Sequence, residues 1–199
     1  MAPAAAGTGI EKKKKSGKRM LEQYNASKLD WLHDSIFLIV LIVAVFCVFR
    51  FVIGISIVSG DSMSPTLEDG DFVVYLRIVP EYKTGDVVSM RVASGDYYVK
   101  RIIAVGGDVV DLRDGTVYVN GQEIEPSWGY GYTMEESEAI IYPYKVRDGN
   151  VFVLGDNRTL SKDSREFGEV NLRQIRGKLI LQVGRGSSNN LYIRTEFNE

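Results

Sequence analysis

The 199-residue sequence predicts a mostly-β domain of short strands and hairpins behind one N-terminal transmembrane helix. Three observations carry that prediction. Ile36 to Phe49 runs without a polar residue. From Val52 onward the apolar residues alternate in short β-branched and aromatic runs instead of recurring at helical spacing. Those runs are separated by turn pairs such as Asp114-Gly115 and Asn120-Gly121, which are strong hairpin signals.

The apolar run comes first. Ile36–Phe49 as a helix rises only ~21 Å, so spanning a ~30 Å hydrocarbon layer requires extension to Leu32 and Ile53. Trp31, His33 and Asp34 then fall in the inner headgroup zone, and Arg50 snorkels at the outer end. A cleaved leader wants small residues at alternate positions beyond the run, and only Gly54 and Ser56 offer them, so an uncleaved anchor over residues 31–53 is expected. Residues 1–34 hold seven Lys/Arg against four acids, whereas the rest of the chain holds 17 basic and 22 acidic residues. The basic excess predicts a cytoplasmic N-terminus and an extracytoplasmic domain. Residues 1–30 are expected as a basic tail, its low-complexity start disordered against anionic lipid.

Beyond the anchor, strands are expected at 52–58, 71–78, 86–92, 97–105, 109–112, 116–119, 149–154 and 177–183, within a domain spanning 54–184. Residues 122–148 are less regular and are expected as a small cap or excursion. Residues 185–199 are expected as a polar C-terminal tail. The domain is long enough to bury a core without cross-links. The one cysteine, Cys47, lies in the apolar run and permits no intrachain disulfide. A net-acidic domain lacks the basic face that nucleic acid needs, so no nucleic-acid partner is expected. With no His/Cys cluster and no HExxH, no metal or other cofactor is expected.

For an enzyme, the chemistry narrows quickly. The single histidine, His33, sits at the cytoplasmic edge of the anchor, which leaves an external Ser–His–Asp triad without its base. A serine enzyme here needs a lysine instead. Ser62 is the best nucleophile candidate, because Gly60 lets the chain bend and Pro65 fixes the backbone just past it. Taken alone, such a serine reads equally as a turn residue. Lys100 shares a strand face with the largely apolar Tyr98 and Ile102. Desolvation there can bring a lysine from ~10.4 to roughly 7–8, where a useful fraction is neutral. Taken alone, it also reads as an exposed strand lysine.

Four segments in order give these candidates a context: SGDSMSPTLEDGD (59–71), GDVVSMRV (85–92), YYVKRIIAVGGD (97–108) and GDNRTLSKDSREFG (155–168). Together, behind such an anchor, they make the chain resemble the type I signal peptidases, above all the compact single-span form of Gram-positive bacteria. The resemblance implies a bacterial membrane enzyme that removes signal peptides after Ala-x-Ala-like sites. Ser62 is then the nucleophile and Lys100 the general base, with the Ser62 N–H as an oxyanion donor. Relatives with a serine two residues before the nucleophile gain a further donor, and here that position is Gly60. Ser161 would orient the lysine amine, while Asp163 with Arg165 and Asp156 with Arg101 would be supporting pairs. Val58, Ser59, Met63, Tyr98 and Val99 would shape shallow pockets for an extended peptide, and Phe51–Val58 would press on lipid. Preprotein signal peptides and membrane lipid are thus the expected partners, with the oligomeric state left open. Two other readings use the same residues: a self-cleaving repressor-type Ser/Lys protease, and a tethered β-domain without activity. The anchor and acidic domain disfavour the first, and the presence of both Ser62 and Lys100 disfavours the second.

Overall fold

The computed structural model describes residues 8–92, 94–124, 128–185 and 191–197. It divides between Val48 and Phe49 into two compact units.

The first unit is one helix, α1, over Thr8–Cys47. By length and composition, Asp30–Val52 suffices to cross a membrane, including a wider π-type turn at Val48–Val52. Its 23 residues rise about 34 Å. Every side chain from Ile36 to Cys47 is exposed. The basic segment expected as a disordered tail is helical from Thr8 onward, while residues 1–7 lie outside the described residues. Residues 11–29 are rich in Lys, Glu, Leu, Met and Gln, all good helix formers. Extending a helix already nucleated by the apolar span is cheap compared with starting one.

The second unit is β-rich. Its strands are β1 (Ile53–Ile57), β2 (Phe72–Leu76), β3 (Val87–Arg91), β4 (Tyr97–Val105), β5 (Val109–Arg113) and β6 (Thr116–Val119). They continue with β7 (Gln122–Glu123), β8 (Tyr144–Lys145), β9 (Asn150–Leu154), β10 (Val170–Asn171), β11 (Ile175–Arg185) and β12 (Leu191–Arg194). The only helix described here besides α1 with α-geometry is one turn, α2 (Ser164–Phe167). An eight-stranded antiparallel sheet runs β1-β2-β11-β3-β4-β9-β10, with β12 paired to β11. A four-stranded sheet runs β7-β6-β5-β8. The segment expected as a cap or excursion therefore contributes both edge strands of the small sheet, with residues 125–127 outside the described residues.

Val110, Leu112, Val117 and Val146 of the small-sheet region pack on Ile103, Ala104, Phe152 and Leu154 of β4 and β9. A second cluster gathers Val58, Met63, Leu67, Val73, Tyr75, Val87, Leu179 and Phe197. A third joins Val88, Met90, Ile102, Val151, Val153, Val170 and Ile175, with Tyr98 and Phe167 at its margin.

The expected polar tail from residue 185 is corrected where it is described. Leu191–Arg194 pair with Gln182–Arg185, and Phe197 is buried. Gln182 Nε2 donates to Asp71 Oδ2 at 2.5 Å and to the Tyr192 hydroxyl at 2.8 Å, tying β12 down. Residues 186–190 and 198–199 lie outside the described residues.

Candidate active site

β1 feeds directly into the turn that carries Ser62. Gly60 has φ +85°, a left-handed conformation that strains any side chain, and its N–H donates to Asp69 Oδ1 at 2.7 Å. The chain then winds through Ser64 N–H to the Asp61 carbonyl at 3.1 Å and Leu67 N–H to the Met63 carbonyl at 2.9 Å. Met63 and Leu67 are fully buried, so the residue after Ser62 is pinned in the core. The Ser62 carbonyl accepts from Asn157 N–H at 3.1 Å, while its own N–H has no hydrogen-bond partner among the described residues.

Lys100 lies in β4, opposite Val88 of β3. In the sheet order, β2, β11 and β3 stand between β1 and β4. A flat sheet would hold β1 and β4 about 19 Å apart, so sheet curl and the turn after β1 must close the gap. They do: Lys100 Nζ stands 2.5 Å from Ser62 Oγ. The amine is also 5.5 Å from the centre of the Tyr98 ring, and Lys100 is only 3% exposed. Burial pushes its pKa down to about 8; Asp163 and Asp156 pull it up, and Arg165 adds a further downward push. At pH 7 roughly a tenth of such amines are neutral, a few hundred times more than for a solvated lysine. A neutral amine at this distance can take the proton of a serine hydroxyl.

The segment after β9 supports the pair from behind. Asp163 caps α2, with Oδ1 accepting from Arg165 N–H at 3.2 Å and from its Nε at 2.9 Å. Its Oδ2 accepts from Arg165 Nη2 at 2.9 Å and Gly155 N–H at 3.0 Å. Arg165 also donates to the carbonyls of Arg158 and Ser161, and pairs with Glu136 at 2.9 Å. Asp156 and Arg101 form a two-pronged pair at 2.8 and 2.7 Å, both almost wholly buried. A side chain at Gly155 would collide with Ser161 Oγ and the Ser62 carbonyl, so glycine there lets this segment approach the turn. Ser161 departs from expectation. Its hydroxyl is buried but makes no hydrogen bond to Lys100 Nζ or to any other described group. The backbone of 155–161, held by Arg165 and Gly155, sets where that hydroxyl lies.

A cleft of about 280 Å³ opens over the pair. All five residues expected to shape pockets line it: Val58, Ser59, Met63, Tyr98 and Val99. Sequence reasoning missed Ser56, Ile57, Ser89, Tyr97, Leu160 and Lys162 on its walls. Ser56, Ile57 and Tyr97 adjoin positions already singled out, so strand continuity was an available signal. Asn157 and Arg158 were also missed, although both stand inside the GDNRTLSKDSREFG segment. Arg158 is buried, donating to the Gly155 carbonyl at 3.1 Å and Thr133 Oγ1 at 3.0 Å; burial pushes its pKa down. Among the described residues, no group of three or more His, Cys, Asp or Glu side chains converges as a metal site.

Comparison with known proteins identifies the family. The family described as signal peptidase, peptidase S26, matches residues 29–183. Signal peptidase IB of Staphylococcus aureus (strain COL) is 38% identical over 170 residues, covering 76% of this chain and 86% of that protein. Signal peptidase I of Bacillus licheniformis is 34% identical over 174 residues, covering 79% and 91%. A crystal structure of a signal peptidase I from Enterococcus faecalis V583 superposes with a TM-score of 0.45 at 29% identity, covering 51% of this chain and 99% of that one. With three quarters of its length shared with such relatives and residues 29–183 inside the family match, the chain belongs to the signal peptidase family, peptidase S26.

Proposed function

We propose that this protein is a membrane-bound serine endopeptidase that removes signal peptides from exported preproteins, cutting after Ala-x-Ala-like sites with Ser62 as nucleophile and neutral Lys100 as general base. The single observation that carries this reading is the 2.5 Å contact between Ser62 Oγ and a buried lysine amine whose pKa is pushed down to about 8.

The reaction follows from that contact. β1 is an edge strand, so a row of its backbone groups is free to pair with an extended peptide. The peptide's scissile carbonyl then lies beside Ser62. Lys100 Nζ takes the hydroxyl proton as Oγ attacks, and the developing oxyanion meets the Ser62 N–H. Collapse breaks the C–N bond, and the lysine ammonium returns its proton to the leaving amine. Water, deprotonated by the same amine, then hydrolyses the acyl-serine and restores both groups. Shallow walls from Val58, Met63 and Val99 favour small side chains, because the first two are nearly buried and leave little depth. The two Asp–Arg pairs keep the 155–168 segment and β4 in register, and Ser161 contributes a hydroxyl close to Gly155 and Ser62.

The anchor supplies location. The basic residues of 1–34 hold that end in the cytoplasm, which places the catalytic domain outside the bacterial membrane. Phe51, Ile55 and Ile57 are 58%, 47% and 67% exposed, and they form the lipid-contacting lip of a cleft that receives substrates whose own apolar helix is still in the bilayer.

The test is the pH dependence of cleavage of an Ala-x-Ala preprotein in detergent. Wild type is expected to show a rising limb near pH 8, tenfold per pH unit on its acid side, as the buried amine loses its proton. Ser62→Ala and Lys100→Ala are each expected to lose at least about 1000-fold in kcat. Normal turnover by either variant, or an optimum near pH 5, would overturn the mechanism.

A further inference from the structure

Residues 195–197 follow β12 and lie in neither the cleft nor the dyad, yet they are built into the structure behind them. Phe197 is 7% exposed and packs in the cluster that contains Val58, Met63 and Leu67. Those three residues bracket Ser62 along the chain, and two of them sit in the turn that presents it. The Phe197 carbonyl accepts from Arg101 Nη1. The same guanidinium grips Asp156 with two hydrogen bonds and donates to the Gly85 carbonyl at 2.9 Å. The residue after Asp156 is Asn157, whose N–H holds the Ser62 carbonyl at 3.1 Å. Two routes therefore run from Phe197 to Ser62: one through the apolar cluster to Met63, and one through Arg101 and Asp156 to the Asn157 N–H.

We propose that Phe197 is a positioning residue for Ser62, closing the Arg101–Asp156 pair from below and wedging the apolar side of the serine turn. This rests on the reading of Ser62 as the nucleophile. The carbonyl gives a buried guanidinium an acceptor that water cannot supply there, and the ring fills the space under Met63 and Leu67. Loss of both lets the turn drift, while Tyr98, packed on the separate Ile102 cluster, keeps its wall of the cleft. The effect falls on the attacking step, in which a small misplacement of Oγ is costly.

The experiment uses the full chain in detergent, with preprotein cleavage giving kcat and KM and a thermal midpoint giving the folded fraction at the assay temperature. Active wild type beside inactive Ser62→Ala first establishes the underlying function; inactive wild type would sink that reading and not this one. Against that baseline, a chain ended after Phe197 keeps ring and acceptor, and is expected to retain kcat within about twofold. A chain ended after Glu196 is expected to lose about tenfold or more in kcat, with KM changed by less than about threefold. Phe197→Ala, which keeps the carbonyl, is expected to fall between the two, and Phe197→Leu to recover most of the loss. Wild-type kcat in the folded chain ended after Glu196, or a rise in KM at constant kcat, would overturn the proposal. Should that chain fail to fold, Phe197→Ala decides by the same split. Wild-type kcat in the folded variant overturns the proposal, and a fall in kcat at constant KM supports it.

Discussion

The two sheets handle charge in opposite ways. The small sheet packs through an apolar interface, and in its Arg113–Asp111 ion pair the aspartate is half-buried while the arginine is 61% exposed. The eight-stranded sheet and the segment after β9 instead carry Lys100, Arg101, Asp156, Asp163 and Arg165 at 3% exposure or less. Burying a charge costs several kcal/mol unless partners replace its water. Four of those five groups have such partners in the two Asp–Arg pairs. Among the described residues, Lys100 has a hydroxyl and an aromatic face but no carboxylate within salt-bridge distance, so its burial cost appears as a lowered pKa. The contrast teaches that one sheet packs through apolar side chains, while the other also buries an amine without a carboxylate partner among the described residues.

The largest expected effect tests whether the paired charges differ between sheets. Asp156→Ala leaves the Arg101 guanidinium buried against fewer acceptors and is expected to cost about 3–5 kcal/mol, whereas Asp111→Ala, which leaves an exposed arginine, is expected to cost less than about 1 kcal/mol. Urea unfolding of the two variants measures this, and equal losses would erase the distinction.

Next comes the unpaired amine. The Lys100 pKa falls from its ordinary 10.5 to about 8, so between those values the unfolded chain holds a proton that the folded chain has released. Stability should therefore rise with pH across that window, and below it the full cost of the buried cation is present. Lys100→Met removes the cost and is expected to stabilise the domain at pH 7 by up to about 3 kcal/mol while abolishing cleavage. An unchanged or lower thermal midpoint would mean that the amine is well solvated.

The smallest effect concerns Ser161, a buried hydroxyl without a partner among the described residues. Ser161→Ala is expected to leave stability within about 1 kcal/mol, since no hydrogen bond is lost. Its kcat/KM is expected to fall by less than that of either dyad variant. A loss as deep as that of Lys100→Ala would show that the hydroxyl reaches the amine during turnover.

Local chemistry in the sequence was enough for the long apolar helix, most strand positions and the family. A polar-free run, period-two alternation and Gly turns act within a few residues, so they can be read without knowing what packs on them. Four places escaped: the basic helical segment, the edge strands β7 and β8, the two-residue β10, and β12. The basic segment before the anchor is helical because it extends a neighbouring helix, and β12 exists because β11 is long enough to receive it. The site divides in the same way. Residue types at Ser62 and Lys100 named a possible reaction, but only tertiary structure brought a serine and a lysine 38 positions apart to 2.5 Å. It also buried the amine deeply enough to lower its pKa, left Ser161 without a partner among the described residues, and set the Phe197 carbonyl under Arg101, 96 positions away. Burial and long-range hydrogen bonds depend on which strands become neighbours in a curled sheet, and that is a property of the whole chain rather than of any window within it.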